Sequence, residues 1–233
     1  MSRANLFFAA LLVLLVGCTA ATIHDNTKTQ YMNAVFTSEE LTAGGLAMFP
    51  VTAGEGQEGY RRPLGDFLSD SLSSAVPGGK VLVWTETMDS LNARDKVHVY
   101  QDMVAAYAQT SIIDKQKVKE LSEALHVRYG LFCALQKFSS ESHTGYSVWT
   151  GWNTIHKAEV AAHCLVIDLR NGDVMQEIIG SATSLGGEYN YDSPYEAYAA
   201  IMARSVLSQL PGSAVTHPIK GEHKSGSKTL HSR

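Results

Sequence analysis

Apolar positions early in the chain mark out a first helix between two strands. Residues 46–51 form an apolar run that predicts a buried strand. The apolar residues of 64–75 fall on one helical face, which predicts a helix, and Pro77-Gly78-Gly79 ends it. Residues 80–84 predict the second strand.

Further helices follow in the middle of the chain and at the end of the patterned region. The apolar residues of 88–125 fall on two faces, which predicts two helices with Asp114 as the cap between them. The last helix begins at Ser193-Pro194, where a serine cap, a proline at the first helical position and Glu196 form an N-terminal signal. Its expected buried row is Tyr198, Met202, Val206 and Leu210.

Three strands lie between these helices. They are expected over 128–138, 158–169 and 174–183, and Asn171-Gly172 is a strong hairpin signal, so the strands should be antiparallel. The predicted order is β-α-β-α-α-β-β-β-α. This order defines one α/β (α+β) sandwich over 46–211, with helices packed on a mixed sheet of about five strands.

Residues 1–17 have the pattern of an export signal. Arg3 precedes an apolar run over 6–16, which is shorter than the about 20 residues that span a bilayer. The run ends in a lipobox, Leu15-Val16-Gly17-Cys18, which places small Gly17 before a thiol that a lipid can alkylate. We expect cleavage before Cys18 and its lipidation. The alternative is an ordinary signal peptide with a chance cysteine.

Lipidation predicts a periplasm-facing domain held on a membrane. Acyl chains on Cys18 would hold it without a spanning helix, since each buried methylene contributes about 0.8 kcal/mol. Aspartate after the cysteine tends to retain lipoproteins on the inner membrane, and the residue here is Thr19, so the outer membrane is the expected location. Residues 18–45 are polar and end in Gly44-Gly45, which predicts a flexible tether, and 212–233 predict a disordered tail.

Charge and length exclude one class of partner and limit the number of domains. The chain of 233 residues has a formal net charge of −4. No nucleic-acid partner is expected, because such a partner requires a strongly basic surface. Removal of the signal leaves about 215 residues, which suits one domain with a sizeable core.

The sequence Gly54-Glu55-Gly56-Gln57-Glu58-Gly59 has the spacing of a dinucleotide-binding loop. Glu55 and Glu58 would place negative charge where a pyrophosphate binds, and Pro63 delays the helix whose N-terminus must meet the phosphate. We therefore interpret 54–59 as a flexible acidic loop. The alternative is an exported small-ligand-binding protein or hydrolase that uses this loop.

Sequence motifs for catalysis or metal binding are absent. The nine histidines show no HExxH motif, and His163 is expected to be a strand residue. A GxSxG motif does not occur, and a Walker motif does not occur because Gly78-Gly79-Lys80 is followed by Val81. We predict no enzymatic activity, no cofactor and no metal. A triad assembled from distant residues stays open as the alternative.

Cys133 and Cys164 are the cysteines besides Cys18. If their two strands pair around a loop centred near Val148-Trp149, Cys133 lies directly opposite Cys164. A cross-strand disulfide would fit an oxidising periplasm, and a pair of buried free thiols is the alternative.

The segment 141–156 is rich in Gly, Ser and Thr and is predicted to be a loop. Tyr146, Trp149 and Trp152 stand in it with no evident helix or strand to bury them. Exposed aromatic residues are enriched at protein interfaces and at membrane headgroups, so these three are candidate partner contacts. The alternative is a hairpin tip folded back on the core of the domain.

The lipobox, the strand over 46–51, the helix over 64–75 and the turn Asp168-Leu169-Arg170-Asn171-Gly172 together resemble periplasmic lipoproteins with a TolB-N-terminal-like α/β fold. That group includes the curli secretion channel lipoprotein and penicillin-binding-protein activator lipoproteins. The resemblance implies a non-catalytic assembly, secretion or activation role through contact with another envelope protein, or a homo-oligomer in a secretion system. A membrane barrel is not expected, because 141–156 is short and lacks alternating apolar residues.

Overall fold

The structure is a computed structural model that describes residues 22–147, 151–186 and 194–216. Cys18 and Trp149 lie outside these residues. No helix in the described part is long and apolar enough to cross a bilayer. The strands are β1 (Thr22–Asp25), β2 (Lys28–Met32), β3 (Leu46–Met48), β4 (Thr52–Ala53), β5 (Val81–Leu82), β6 (Tyr129–Ser147), β7 (Gly151–Asp168) and β8 (Asp173–Gly186). The helices are α1 (Ser38–Gly44), α2 (Glu58–Ala75), α3 (Trp84–Ala93), α4 (Val97–Thr110), α5 (Lys115–Leu125) and α6 (Pro194–Ser208).

The strands form one eight-stranded mixed sheet in the order β1-β8-β7-β6-β3-β5, with β2 beside β8 and β4 beside β6. β6, β7 and β8 are an antiparallel meander, whereas β3 pairs in parallel with both β5 and β6. The predicted α/β class is confirmed. The expected number of about five strands is too small, because β1, β2 and β4 carry no strong apolar pattern.

Helices cover both faces of the sheet. α2 and α6 pack on one face, where Leu68 and Met202 belong to one buried apolar cluster. α3, α4 and α5 pack on the other face, where Leu91, Met103 and Leu121 belong to a second cluster. The sheet is therefore the middle layer between two apolar cores.

Helix positions agree with the sequence in part. The four residues of the buried row predicted for the last helix are at most 3% exposed, but only Tyr198, Met202 and Val206 belong to α6, because the helix ends at Ser208 and Leu210 follows it. Asp114 caps α5, because its Oδ1 accepts hydrogen bonds from the backbone N of Gln116 (3.0 Å) and Lys117 (3.2 Å).

The prediction of two helices over 88–125 is wrong. Three helices lie over 84–125, and the break between α3 and α4 falls at Asp95, whose left-handed φ of 54° no glycine or proline signals.

Two further boundaries differ from the predictions. α2 begins at Glu58 and not at Leu64, because Pro63 removes one intrahelical hydrogen bond without ending the helix. The strand expected over 46–51 ends at Met48, and the short strand β4 follows at Thr52.

The predicted flexible tether over 18–45 is wrong from Thr22 onwards, since that stretch forms β1, β2 and α1. Phe36 is 3% exposed and packs edge-on against Tyr129, with ring centroids 5.1 Å apart. Leu41 is also buried, and Thr37 caps α1 by accepting a hydrogen bond from the backbone N of Glu40. The domain therefore begins at β1, four residues after Cys18.

The predicted disordered tail over 212–233 is wrong for its first five residues. The backbone N of Ala214 donates a hydrogen bond to the carbonyl of Ser74 at the end of α2, and Val215 packs against the core. Residues 217–233 lie outside the described part of the chain.

Candidate functional site

The segment 141–156, predicted to be a loop, is mostly strand. β6 and β7 pair from Tyr129 and Asp168 as far as Ser147 and Gly151, with one bulge between Leu135 and Lys137. We call residues 137–147 and 151–161 the arm. Its threonine, isoleucine and aromatic residues favour strands although no apolar alternation is visible.

Three aromatic rings hold the base of the arm against the helices. Phe138 of β6 lies between Tyr60 of α2 and Tyr195 of α6, with ring centroids 4.4 Å and 4.6 Å away. Tyr60 and Tyr195 are themselves 4.7 Å apart, and the Tyr195 hydroxyl donates a hydrogen bond to the Tyr60 carbonyl. Burial raises the pKa of Tyr195 above the ordinary tyrosine value. The rings fix the direction in which the arm leaves the domain.

The segment 54–59 supports the same base; its last two residues, predicted to be part of a loop, belong to α2. Gln57 Oε1 accepts a hydrogen bond from the backbone N of Phe138 at 2.9 Å, and the backbone N of Gly56 donates to Glu58 Oε1 at 3.2 Å. The backbone N–H of Gly56, which a bound phosphate would need as a donor, is thus already hydrogen-bonded to the Glu58 carboxylate. The hydrogen bond from Phe138 to Gln57 gives this segment a role in supporting the arm that sequence reasoning missed.

The aromatic candidates lie at the far end of the arm. Tyr146 is 65% exposed and directly opposite Trp152 in the β6–β7 register. The structure thus brings these two positions together on a two-stranded ribbon, and Tyr146 is not folded back on the core. Trp149 falls in the turn between them, outside the described residues.

Cys133 and Cys164 lie opposite each other, in the register predicted from the loop centre, and their sulfur atoms are joined in a disulfide. Both residues are buried on the face of the sheet that packs against α2 and α6. The bridge lies between the two long strands that continue into the arm.

An acidic residue at the opposite end of β7 links several elements. Asp168 is 2% exposed; its Oδ2 accepts hydrogen bonds from Arg128 Nε (2.8 Å) and Arg170 Nη2 (3.0 Å). Arg128 also pairs with Glu40 of α1. Burial acts to raise the pKa of Asp168, but the hydrogen bonds from Arg170 and Arg128 outweigh it and hold the pKa below its usual value. This network is structural and connects α1 to the sheet.

His163 is a strand residue of β7, as expected, and its Nε2 lies 2.8 Å from Glu177 Oε1 on β8. Among the described residues, no group of three or more His, Cys, Asp or Glu side chains is arranged to hold a metal ion.

A groove that sequence reasoning missed lies near the β7–β8 turn. Its volume is about 460 Å³, and Tyr31 and Ile112 on its rim are 46% and 69% exposed. Gly172 of the turn also lines it, so the groove lies at the opposite end of β7 from the arm. The residues that line this groove come from distant parts of the chain, so no local sequence pattern predicts it.

The fold and these sites define an α/β domain with an ordered aromatic-tipped arm. No family model matches the sequence, and no curated protein matches it. The PelC dodecamer from Paraburkholderia phytofirmans is similar in structure, with 14% identity, a TM-score of 0.46 and coverage of 80% of this chain and 97% of that one.

Two other solved structures are less similar. Lipoprotein GNA1162 from Neisseria meningitidis has 14% identity and a TM-score of 0.33, over 65% of this chain and 89% of that one. The hypothetical protein CT253 from Chlamydia trachomatis has 16% identity and a TM-score of 0.39, over 72% and 96%. At these TM-scores the likenesses decide nothing about function, which must be inferred from the residues of this chain.

Proposed function

We propose that this chain is a lipid-anchored envelope protein without catalytic activity, which acts as an assembly, secretion or activation factor through contacts of its arm. The lipobox ending at Cys18 supports the anchor and favours the outer membrane. The disulfide between Cys133 and Cys164 supports an oxidising compartment, because such bonds persist in the periplasm and are rare in the cytosol.

The arm is the observation that carries the contact role. Its base is held by three packed rings and a side-chain hydrogen bond, yet its end projects with Tyr146 exposed. An exposed aromatic residue on an ordered ribbon adds little to the core and provides a large contact area at low entropic cost. Tyr146, Trp149 and Trp152 are the proposed contact residues.

In-cell photo-crosslinking tests this role. A photo-reactive residue at Ser140, which is exposed on the arm, should trap a discrete envelope protein or a second copy of this chain. The matched control is exposed Gln101 on α4. The mass of the adduct separates the two partners, and a second copy would support an oligomeric secretion component. The same adducts from both positions, or none from the arm, would contradict the contact role.

A further inference from the structure

The start of the domain and the end of the arm lie on the same side of the sheet. Thr22 of β1 pairs with Leu185 of β8, Leu185 with Lys157 of β7, and Lys157 with Glu141 of β6. These four residues form one row across the sheet. Because β1 runs away from the arm, its first residue, Thr22, lies at the end of β1 that is nearest the tip.

The lengths on the two sides of this row agree. Cys18 is four positions before Thr22, so a fully extended connection would span at most about 14 Å from the row. Tyr146 is five positions after Glu141, so the arm extends about 17 Å beyond the row. A lipid on Cys18 would therefore keep the bilayer close to the start of β1, and the arm extends from that same end of the sheet.

The chemistry of the arm fits the boundary of a bilayer and not its interior. Aromatic residues are enriched at the level of the headgroups, and Tyr146 and Trp152 occupy the end. Strands that cross a membrane present an apolar band about 25 Å tall, which this arm lacks. The β6 residues nearer the domain are polar. They are Ser139, Ser140, Glu141, Ser142 and Thr144.

We propose that the tip of the arm, Tyr146 with Trp152, contacts the headgroup region of the bilayer that holds Cys18. This inference rests on the lipid anchoring proposed above. It assigns the aromatic end of the arm to lipid, so that the protein contact of the arm falls on the exposed polar residues nearer the domain, among them Ser140. Two attachments, one lipid and one aromatic, restrict the rotation of the domain about its short N-terminal connection. The groove at Tyr31 and Ile112 then lies at the end of the domain that is farther from the bilayer.

Fluorescence quenching in vesicles tests the contact. The full lipidated protein is reconstituted into vesicles that contain brominated phospholipids, which quench tryptophan fluorescence. The test variant carries Trp84→Phe and Trp149→Phe, so that Trp152 is its single tryptophan. The matched control, Trp149→Phe with Trp152→Phe, leaves Trp84. Trp84 is far from the proposed contact. Leu82, two residues before it, lies in the same row of the sheet as Gly130. Gly130 is eleven positions before Glu141 on β6, which places it roughly 35 Å from the row of Glu141.

The fluorescence of Trp152 in the test variant should fall by about half or more, because interfacial residues lie within roughly 10 Å of the acyl chains. The fluorescence of Trp84 in the control should not change. As a second probe, Tyr146→Trp in a background with all three tryptophans replaced by phenylalanine should be quenched similarly. Far-ultraviolet circular dichroism and the intact disulfide report folding.

The outcomes separate the two proposals. Protein that carries no lipid and does not float with vesicles would overturn both. Protein that floats, is folded and shows no quenching at either tip position would overturn the contact with lipid and leave the anchored role standing. A protein adduct formed in cells by a photo-reactive residue at 146, together with absent quenching, would assign the tip to a protein partner instead.

Discussion

Cys133 lies directly opposite Cys164 across the β6–β7 ladder, and a disulfide joins them over a sequence separation of 31 residues. Closing a loop of that length in the unfolded chain stabilises a fold by about 3–4 kcal/mol. Replacing both cysteines with alanine should lower the free energy of unfolding in urea by about that amount.

Adding a reductant during unfolding of the unmodified protein should reproduce the effect, whereas the alanine variant should not respond. If the reductant leaves the urea midpoint of the unmodified protein unchanged, the two residues are free thiols and the alternative interpretation holds.

Asp168→Asn should destabilise the fold by about 3 kcal/mol at pH 7, because it removes a buried charge that neutralises two arginines. The pKa of Asp168 is lowered in the fold, so its contribution is present above the ordinary carboxyl pKa and is lost as pH falls through the lower folded value. The difference between variant and unmodified protein in urea unfolding should therefore shrink in acid.

Asp173→Asn is the matched control. Asp173 forms a salt bridge with Lys115 at 3.3 Å, but the two side chains are 52% and 70% exposed. Exposed pairs contribute about 1 kcal/mol at most. An equal loss for both variants would contradict the role given to Asp168.

Gly130→Ala should cost about 1–3 kcal/mol in the free energy of unfolding. A Cβ at Gly130 would lie 2.8–2.9 Å from side-chain carbons of Phe132, Leu169 and Phe49, which crowd it on three sides. Thermal unfolding checks the effect. Gly145→Ala in the arm is the control, since nothing lies within 4 Å of its Cβ, and its stability should stay within about 0.5 kcal/mol. Equal effects at both positions would exclude crowding as the cause.

Gln57→Ala should release the backbone N–H of Phe138 at the base of the arm. Loss of one hydrogen bond is worth about 0.5–1.5 kcal/mol, so amide exchange at Phe138 should quicken by up to about tenfold. Hydrogen exchange followed by NMR measures it. Glu55→Ala, exposed in the same loop, should leave Phe138 unaffected. Faster exchange in neither variant would mean that the loop does not support the arm.

Much of the core could be predicted from sequence because its signals are local. The buried row of the last helix recurs at helical spacing, and the Asp114 cap is a short side chain before a helix. The pairing of Cys133 with Cys164 depends on the turn after Ser147 and also on the one-residue bulge between Leu135 and Lys137, which no local pattern predicts.

The missed elements depend on distant partners. β1 and β2 pair with β8, from which they are separated by most of the chain, and neither has an apolar face of its own. The end of the arm has no buried face, so no apolar alternation appears in 141–147 although it is a strand. The groove is lined by residues of three separate elements, among them Tyr31, Tyr107 and Leu165, which only the fold brings together.

The central claim is that Cys18 anchors a non-catalytic domain to a membrane, and the intact mass of the mature protein tests it most directly. Protein extracted from membranes in detergent should have the mass of residues 18–233 plus a glyceride-linked lipid, and Cys18→Ala should abolish that modified form. An unmodified mass, or an N-terminus other than Cys18, would contradict the account.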